Sequence, residues 1–303
     1  MSQTRPFTCY VSDLFRLHDP GPHPERPARM DAVMHAVRAT HAPIEEPGPA
    51  AAEDLERVHP REFLAGIREL ARQGGGAIDM DTIVSERSYD AAVVASGAAT
   101  AAVDAVLAGD VEAAFCLGRP PGHHAEAARA MGFCLVNHAA VAAAHARVAG
   151  VERVAVLDWD AHHGNGTQAI FWEDPDVLYV SLHQYPFYPG TGSRAERGGG
   201  AGEGATVNIP LAAGSSERGF MDAFEHEALR ALREFDPGLL IVSAGFDAHR
   251  DDPLCNLGLS SKAFGELTRA VLDIGAGPVL ILEGGYDLTA LFESVSEVLT
   301  ALS

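Results

Sequence analysis

Asp158, Asp160, His162 and His163 crowd into six consecutive residues, Asp158-Trp-Asp-Ala-His-His163, directly after a short apolar run. On a chain leaving a strand, residues two apart project to the same side, so Asp160 and His162 present a carboxylate oxygen and an imidazole nitrogen together. That donor set suits zinc, with iron or manganese as alternatives. A catalytic zinc takes three protein ligands and keeps one position open, and Asp247, in Ala244-Gly-Phe-Asp247, is the candidate third ligand. Two further clusters carry complementary chemistry. His123-His124, after Pro120-Pro-Gly122, offers proton transfer, and Tyr286, after Gly284-Gly285, offers a hydroxyl donor. A lone Asp-x-His at a strand end commonly does no more than cap a turn. Several such clusters delivered to one place are a different matter.

The elements that must position them can be read from the same sequence. Short apolar runs precede each cluster: residues 113–117 before His123-His124, 151–157 before Asp158 to His163, 177–182 before His183, 239–243 before Asp247, and 278–282 before Tyr286. Such runs, bounded by turn signals, read as buried strands of a parallel sheet, and residues 7–11 read the same way. Helical stretches lie between them at residues 61–72, 88–107 (very Ala-rich), 138–148, 216–235, 260–274 with Ser260 as N-cap, and 288–302. This alternation implies right-handed crossovers and helices on both sheet faces. Ligands of open α/β sheets bind outside the carboxyl ends of the strands, so five segments deliver polar residues to one rim. The Gly-rich residues 198–204 read as a flexible loop. No linker-like tract or internal repeat divides residues 1–303, which read as one domain.

Composition narrows the function classes. Hydrophobic residues make up 47% and charged residues 21%, as in an ordinary globular protein. No apolar run reads as long enough to span a membrane, and residues 1–10 lack the charged-then-apolar build of a secretory signal. Cys9, Cys116, Cys134 and Cys255 are too widely spaced to suggest a disulfide framework or a Cys-rich zinc site. Reduced thiols in a cytoplasmic protein are expected. The 42 Asp and Glu outnumber 22 Lys and Arg, for a formal net charge of −20. A phosphate-backbone binder carries the opposite excess, so neither nucleic acid nor membrane is an expected partner. The acid excess aids solubility and could also draw in cationic substrates such as lysine peptides or polyamines.

Longer stretches resemble the histone deacetylase family, particularly its class II and bacterial amidohydrolase members. They are Arg119-Pro-Pro-Gly-His-His124, Gly132-Phe-Cys134, Asp158-Trp-Asp-Ala-His-His-Gly-Asn-Gly-Thr-Gln168, Tyr188-Pro-Gly-Thr-Gly192, Gly245-Phe-Asp247 with Asp252-Pro-Leu254, and Glu283-Gly-Gly-Tyr286. Weaker similarity begins at His23-Pro-Glu-Arg-Pro-Ala-Arg29, so nearly the whole chain is covered. The resemblance implies an arginase/deacetylase-like α/β fold with a mainly parallel eight-stranded sheet. It also implies zinc-dependent hydrolysis of N-acyl amines such as acetyl-lysine side chains, the substrate being a small molecule or a peptide. Related arginases hold two manganese ions with additional aspartates. Here Gly164 and Asn165 stand where a second metal would want a carboxylate, so one catalytic zinc on Asp160, His162 and Asp247 is expected.

The resemblance further implies roles for single residues. His124 would be the general base for water and then the acid for the leaving amine, with His123 an electrostatic partner oriented by Asp158. Tyr286 would donate to the developing oxyanion. Asn165 stands where some relatives place an aspartate behind the second histidine. A neutral amide stabilises imidazolium less than a carboxylate does, which predicts a lower His124 pKa than in those relatives. Phe133 and Tyr188 resemble the aromatic walls of an acyl-lysine channel, Gly132 keeps its entrance narrow, and Arg29 matches an arginine of an inner acetate-release channel. Structural potassium is expected on the Asp158 carboxylate, the main-chain oxygens of Asp160, His162 and Leu182, and the Ser181 hydroxyl. The backbone oxygens of Phe171 and Val177, with Asp174, fit a second such site. Leu254 stands where some polyamine-specific relatives carry an acidic residue, which favours lysine-type substrates. Acetylpolyamine hydrolysis and a non-catalytic acyl-amine binding module are the alternatives. Natural substrate, acyl-length preference and oligomeric state stay open at this level.

Overall fold

The computed structural model describes residues 5–303; residues 1–4, part of the segment read for a secretory signal, lie outside the described residues. Ten strands form: β1 Arg5–Tyr10, β2 Ile44–Glu45, β3 Gly75–Ala77, β4 Ile83–Ser85, β5 Val111–Cys116, β6 Val154–Asp158, β7 Val177–Gln184, β8 Thr206–Leu211, β9 Leu239–Ala244 and β10 Val279–Leu282. Eight of them join in the order β2-β1-β5-β10-β9-β6-β7-β8, and every pairing in that sheet is parallel. β3 and β4 form a separate antiparallel pair.

All residues of β6, β7, β9 and β10 are buried, because helices cover both faces of the sheet. One apolar layer takes Met30, Val33, Phe220, Phe264, Leu291 and Val298 from helices on one face. The other takes Leu64, Ile67, Ala98, Ala102, Val141 and Ala142 from helices on the opposite face. The eight-stranded α/β architecture expected from the sequence is therefore present.

Four helices, Arg61–Arg72, Ser88–Leu107, His138–Val148 and Leu288–Leu302, occupy the spans predicted for them. Others differ. Residues 216–235 are not one regular helix, because a π-helical turn at Phe224–Ala228 separates Glu217–Ala223 from Leu229–Phe235. Ser260 occupies the N-cap of Ser261–Leu272, yet its side chain makes no capping bond; its backbone N–H donates instead to Glu217 Oε2 at 2.7 Å. The Gly-rich stretch is folded rather than free: it holds a 3-10 turn at Gly200–Gly202, and Gly199 N–H donates to Trp172 O at 2.8 Å. Helix Ala28–Thr40 and strand β8 had no counterpart in the predicted elements.

One expectation is corrected. Ser88–Leu107 is long and apolar enough to cross a membrane by length and composition. Most of it is buried against β5 and His138–Val148, so packing inside the protein accounts for its apolar character.

The sheet register sets up the site. Asp158, the last residue of β6, pairs with Ser181 on β7 and Ser243 on β9, and Leu282 of β10 pairs with Ala244. Asp160, Asp247 and Glu283 therefore leave three neighbouring strands at about the same height.

Candidate active site

Asp160, His162 and Asp247 each offer one ligand atom, and these atoms lie within 4.8 Å of one another. This is the one group of three such donors among the described residues. Both carboxylates are aimed by the backbone. Asp160 Oδ2 accepts from Gly284 N at 2.9 Å and Asp247 Oδ1 from Ala161 N at 2.8 Å, which leaves Asp160 Oδ1 and Asp247 Oδ2 facing His162 Nδ1 at 3.3 and 2.8 Å. Burial and the neighbouring Asp160 carboxylate push the Asp247 carboxyl up to about 7. Two buried carboxylates converging on an imidazole nitrogen form an oxygen–nitrogen set that could hold a metal ion, and a dication there would relieve their repulsion. Gly284 has to be glycine, since a Cβ there would lie 2.5 Å from Asp247 Oδ2 and 2.6 Å from Asp160 Oδ2.

His123 and His124 lie beside this group, their ring centroids 4.0 Å apart. His123 Nδ1–H donates to Asp158 Oδ2 at 3.0 Å, an oxygen that also accepts from the Tyr179 hydroxyl at 3.0 Å. His124 Nδ1–H donates to Asn165 Oδ1 at 2.9 Å. Burial, then the neighbouring charges of His123 and His162, hold His124 well below the usual imidazole range, with the Asn165 bond acting in the opposite direction. The loop carrying the pair is pinned from below by Glu283, whose Oε2 accepts from Gly122 N at 2.6 Å and His123 N at 3.2 Å. Sequence reasoning quoted Glu283 only as part of a motif; a lone acid followed by two glycines was the available signal.

Tyr286 is buried, and its hydroxyl makes no hydrogen bond among the described residues. Burial keeps the phenol well above its ordinary pKa, so it stays protonated and able to donate, although Arg29 pulls the other way. Two glycines alone would leave the Gly284-Gly285 turn mobile. Its surroundings brace it from two sides instead: Tyr286 N–H donates to Asp252 Oδ2 at 2.7 Å, and Arg29 Nε and Nη2 donate to Gly285 O and Glu283 O at 2.7 and 2.5 Å. Arg29 is fully buried, its guanidinium carbon 5.0 Å from the Tyr286 ring centroid, and Nη1 donates to Glu25 Oε1 at 2.9 Å. Glu25 is shared with Arg119 and His18, a buried network not anticipated from the sequence.

A slot of about 140 Å³ leads to these groups, lined by His124, Gly132, Phe133, His162, Tyr188, Leu254 and Tyr286. It is smaller than the roughly 300–1,000 Å³ typical of pockets for drug-sized ligands, and suits a single unbranched chain. Gly132 is tight against His124: a Cβ would lie 2.5 Å from His124 Cδ2. Phe133 stands edge-on to Tyr286 and Tyr188 edge-on to His124, with centroids 5.7 and 5.2 Å apart. Two lining residues were missed. Phe187 stacks on His162 at 5.4 Å, and its place beside Tyr188 was a usable signal. Asp81 reaches the slot from the β3–β4 loop, where Thr82 Oγ1 donates to Asp81 Oδ1 and accepts from Phe133 N, each at 3.2 Å. Nothing in the pattern around Asp81 marked it.

Ser181 lies 2.8 Å from His183 Nδ1, and His183 Nε2–H donates to Gly192 O at 2.8 Å. Nδ1 must therefore accept, which uses the one Ser181 proton and leaves the hydroxyl oxygen its lone pairs.

Residues 23–302 match the histone deacetylase domain. The chain belongs to the histone deacetylase family. It is 46% identical over 302 residues to an uncharacterized protein of Synechocystis, covering 97% of this chain and 98% of the relative. It is 43% identical over 272 residues to a histone deacetylase-like amidohydrolase of Pseudomonas aeruginosa, covering 87% and 71%. Among solved structures, the HDA15 HD domain superposes with a TM-score of 0.95 at 36% identity, covering 99% of this chain and 88% of that one. An acetylpolyamine aminohydrolase from Burkholderia pseudomallei superposes with a TM-score of 0.91 at 34% identity, covering 98% of each. Membership makes this chain a hydrolase of the deacetylase and amidohydrolase type.

Proposed function

We propose that this family member is a single-zinc enzyme that hydrolyses N-acyl amides of unbranched amines, acetyl-lysine side chains foremost. The observation that carries the reading is a meeting at the foot of one narrow slot. Three buried metal donors, an imidazole with one nitrogen left unbonded and a phenol with a free O–H come together there. Zinc held by Asp160, His162 and Asp247 would supply Lewis-acid polarisation of the amide carbonyl and acidify water. His124, with Nδ1–H committed to Asn165, keeps Nε2 for the proton of the attacking water and returns that proton to the departing amine nitrogen as the C–N bond breaks. His123, held by Asp158, adds positive charge beside the reacting carbonyl. Tyr286 donates its hydroxyl to the oxyanion formed there. Phe133, Phe187 and Tyr188 exclude water from the amine's methylene chain. Arg29, buried against the Tyr286 ring, is the cation proposed to steer the released acetate. Potassium on Asp158, Ser181 and the backbone oxygens of Asp160, His162 and Leu182 belongs to the same proposal, supported by the free lone pairs of Ser181.

A second reading, acetylpolyamine hydrolysis, is favoured by one observation: the Asp81 carboxylate at the slot would attract a second ammonium group. Leu254 opposes it. The test compares turnover of an acetyl-lysine peptide with that of acetylspermidine by zinc-loaded protein. The expected result is preference for the peptide, abolished by a chelator and restored by zinc. Preference for acetylspermidine selects the second reading, and no turnover of either overturns both.

A further inference from the structure

We propose that Glu126 is a positioning residue for His124: its carboxylate decides which way round the Asn165 amide sits, and so which His124 nitrogen is left bare. The proposal rests on the reading of His124 as the proton carrier.

The two ends of a side-chain amide have nearly the same shape, and a half-turn exchanges donor for acceptor. Three groups surround Asn165 Nδ2: Glu126 Oε1 at 3.0 Å, His124 O at 3.5 Å and Met131 Sδ at 3.4 Å. All three only accept. The carbonyl and the thioether are long, weak contacts, so the carboxylate provides the one strong restraint. Turning the amide over would set Oδ1 against a carboxylate oxygen, losing a charge-assisted bond and adding repulsion. With Nδ2 held there, Oδ1 faces His124 Nδ1 at 2.9 Å, that nitrogen must carry the hydrogen, and Nε2 keeps its lone pair. Glu126 is itself held in a short loop, where its backbone N–H donates to Arg129 O at 2.9 Å and its carbonyl accepts from Arg129 N at 3.4 Å. The same carboxylate polarises the amide, which strengthens the bond that Oδ1 accepts.

A reversal follows. If residue 165 were aspartate, both its oxygens would accept, no orientation would need fixing, and Glu126 would become a like-charge neighbour. The effect of removing the Glu126 charge therefore depends on residue 165.

The experiment is a double-mutant cycle of Glu126→Gln and Asn165→Asp. It uses kcat and KM of the zinc-loaded proteins on whichever acyl amide wild type turns over, and 15N-edited spectra of the His124 ring in the zinc-free proteins. Glu126→Gln alone should lower kcat roughly tenfold with KM little changed, as for other partners one bond removed from a reacting group. In the Asn165→Asp background the same substitution should leave kcat unchanged or raise it. The spectra should show one Nδ1–H tautomer in wild type and a mixture in Glu126→Gln. Equal losses in both backgrounds, no loss in the wild-type background, or a single Nδ1–H tautomer in Glu126→Gln would each overturn the proposal. Should wild type turn over no acyl amide, the functional reading fails, while the spectra still decide the role of Glu126.

Discussion

At the floor of the slot, Asp160 and Asp247 are each anchored by a backbone N–H, and His123 is tied to a buried carboxylate that Tyr179 also holds. At the mouth, Tyr188 is exposed and Asp81 and Leu254 are half-buried, all carried on loops, with Met80 fully exposed beside them. The floor grows from strand ends whose register leaves little freedom, whereas the mouth is carried on loops outside the sheet. Substitution should therefore act differently at the two levels. Changes at the floor should alter whether the chemistry runs at all, and changes at the mouth should alter on what it runs.

Tyr286→Phe should cost the floor most. Removing the free hydroxyl should lower kcat by about 10²–10³ with zinc content unchanged, read by steady-state kinetics beside metal analysis. Equal turnover would remove Tyr286 from the chemistry.

Next comes acid. His138 lies in the framework below the His123-His124 loop, donating Nε2–H to Pro120 O at 3.0 Å and accepting at Nδ1 from Ser96 Oγ at 2.8 Å. Burial pushes it from 6.5 down to about 4. A base with a depressed folded-state pKa takes its proton more readily in the unfolded chain. Its contribution is therefore full above about pH 6.5 and lost as pH falls toward about 4, on the order of 3 kcal/mol. Denaturant melts of wild type and His138→Gln across that window measure it, and parallel curves would dismiss a neutral buried ring.

Smaller still is Gly284→Ala, whose Cβ meets both metal carboxylates. Zinc affinity should fall roughly 10–100-fold in a chelator competition; an unchanged affinity would show that the floor can slide. Smallest is Leu254→Glu, expected to move the acetylspermidine to acetyl-lysine ratio of kcat/KM roughly tenfold toward the polyamine, with kcat on its preferred substrate little altered. A matching loss on both substrates would mean that the mouth is tied to the floor after all.

The floor was legible in the sequence for the same reason that it is rigid. A fully buried parallel strand must be a continuous apolar run, so each run announced where its polar successor would stand. Asp160, His162 and Asp247 followed from that rule, and Glu283 was within its reach. The mouth gave no such signal. Asp81 sits on a loop between two three-residue strands, Gly75–Ala77 and Ile83–Ser85, each too short to show an apolar period. Strand β8 hid because it lies at the sheet edge, begins after a glycine-rich turn and contains Pro210. The π-helical turn at Phe224–Ala228 lies inside an otherwise helical stretch, and its i→i+5 backbone bonding is not written in the side-chain pattern.

The position of β10 has a consequence for how the protein comes into being. It is the last strand in the chain, yet it lies inside the sheet, between β5 and β9. Until residues 279–286 leave the ribosome, β2-β1-β5 and β9-β6-β7-β8 are two separate half-sheets, with raw edges that invite wrong partners. The same few residues bring Glu283 under the histidine loop, the Gly284 N–H to Asp160 and Tyr286 to the slot. Closing the sheet and assembling the proposed catalytic groups are thus one event. A chain that stops before residue 279 lacks both the strand between β5 and β9 and the residues that follow it at the slot.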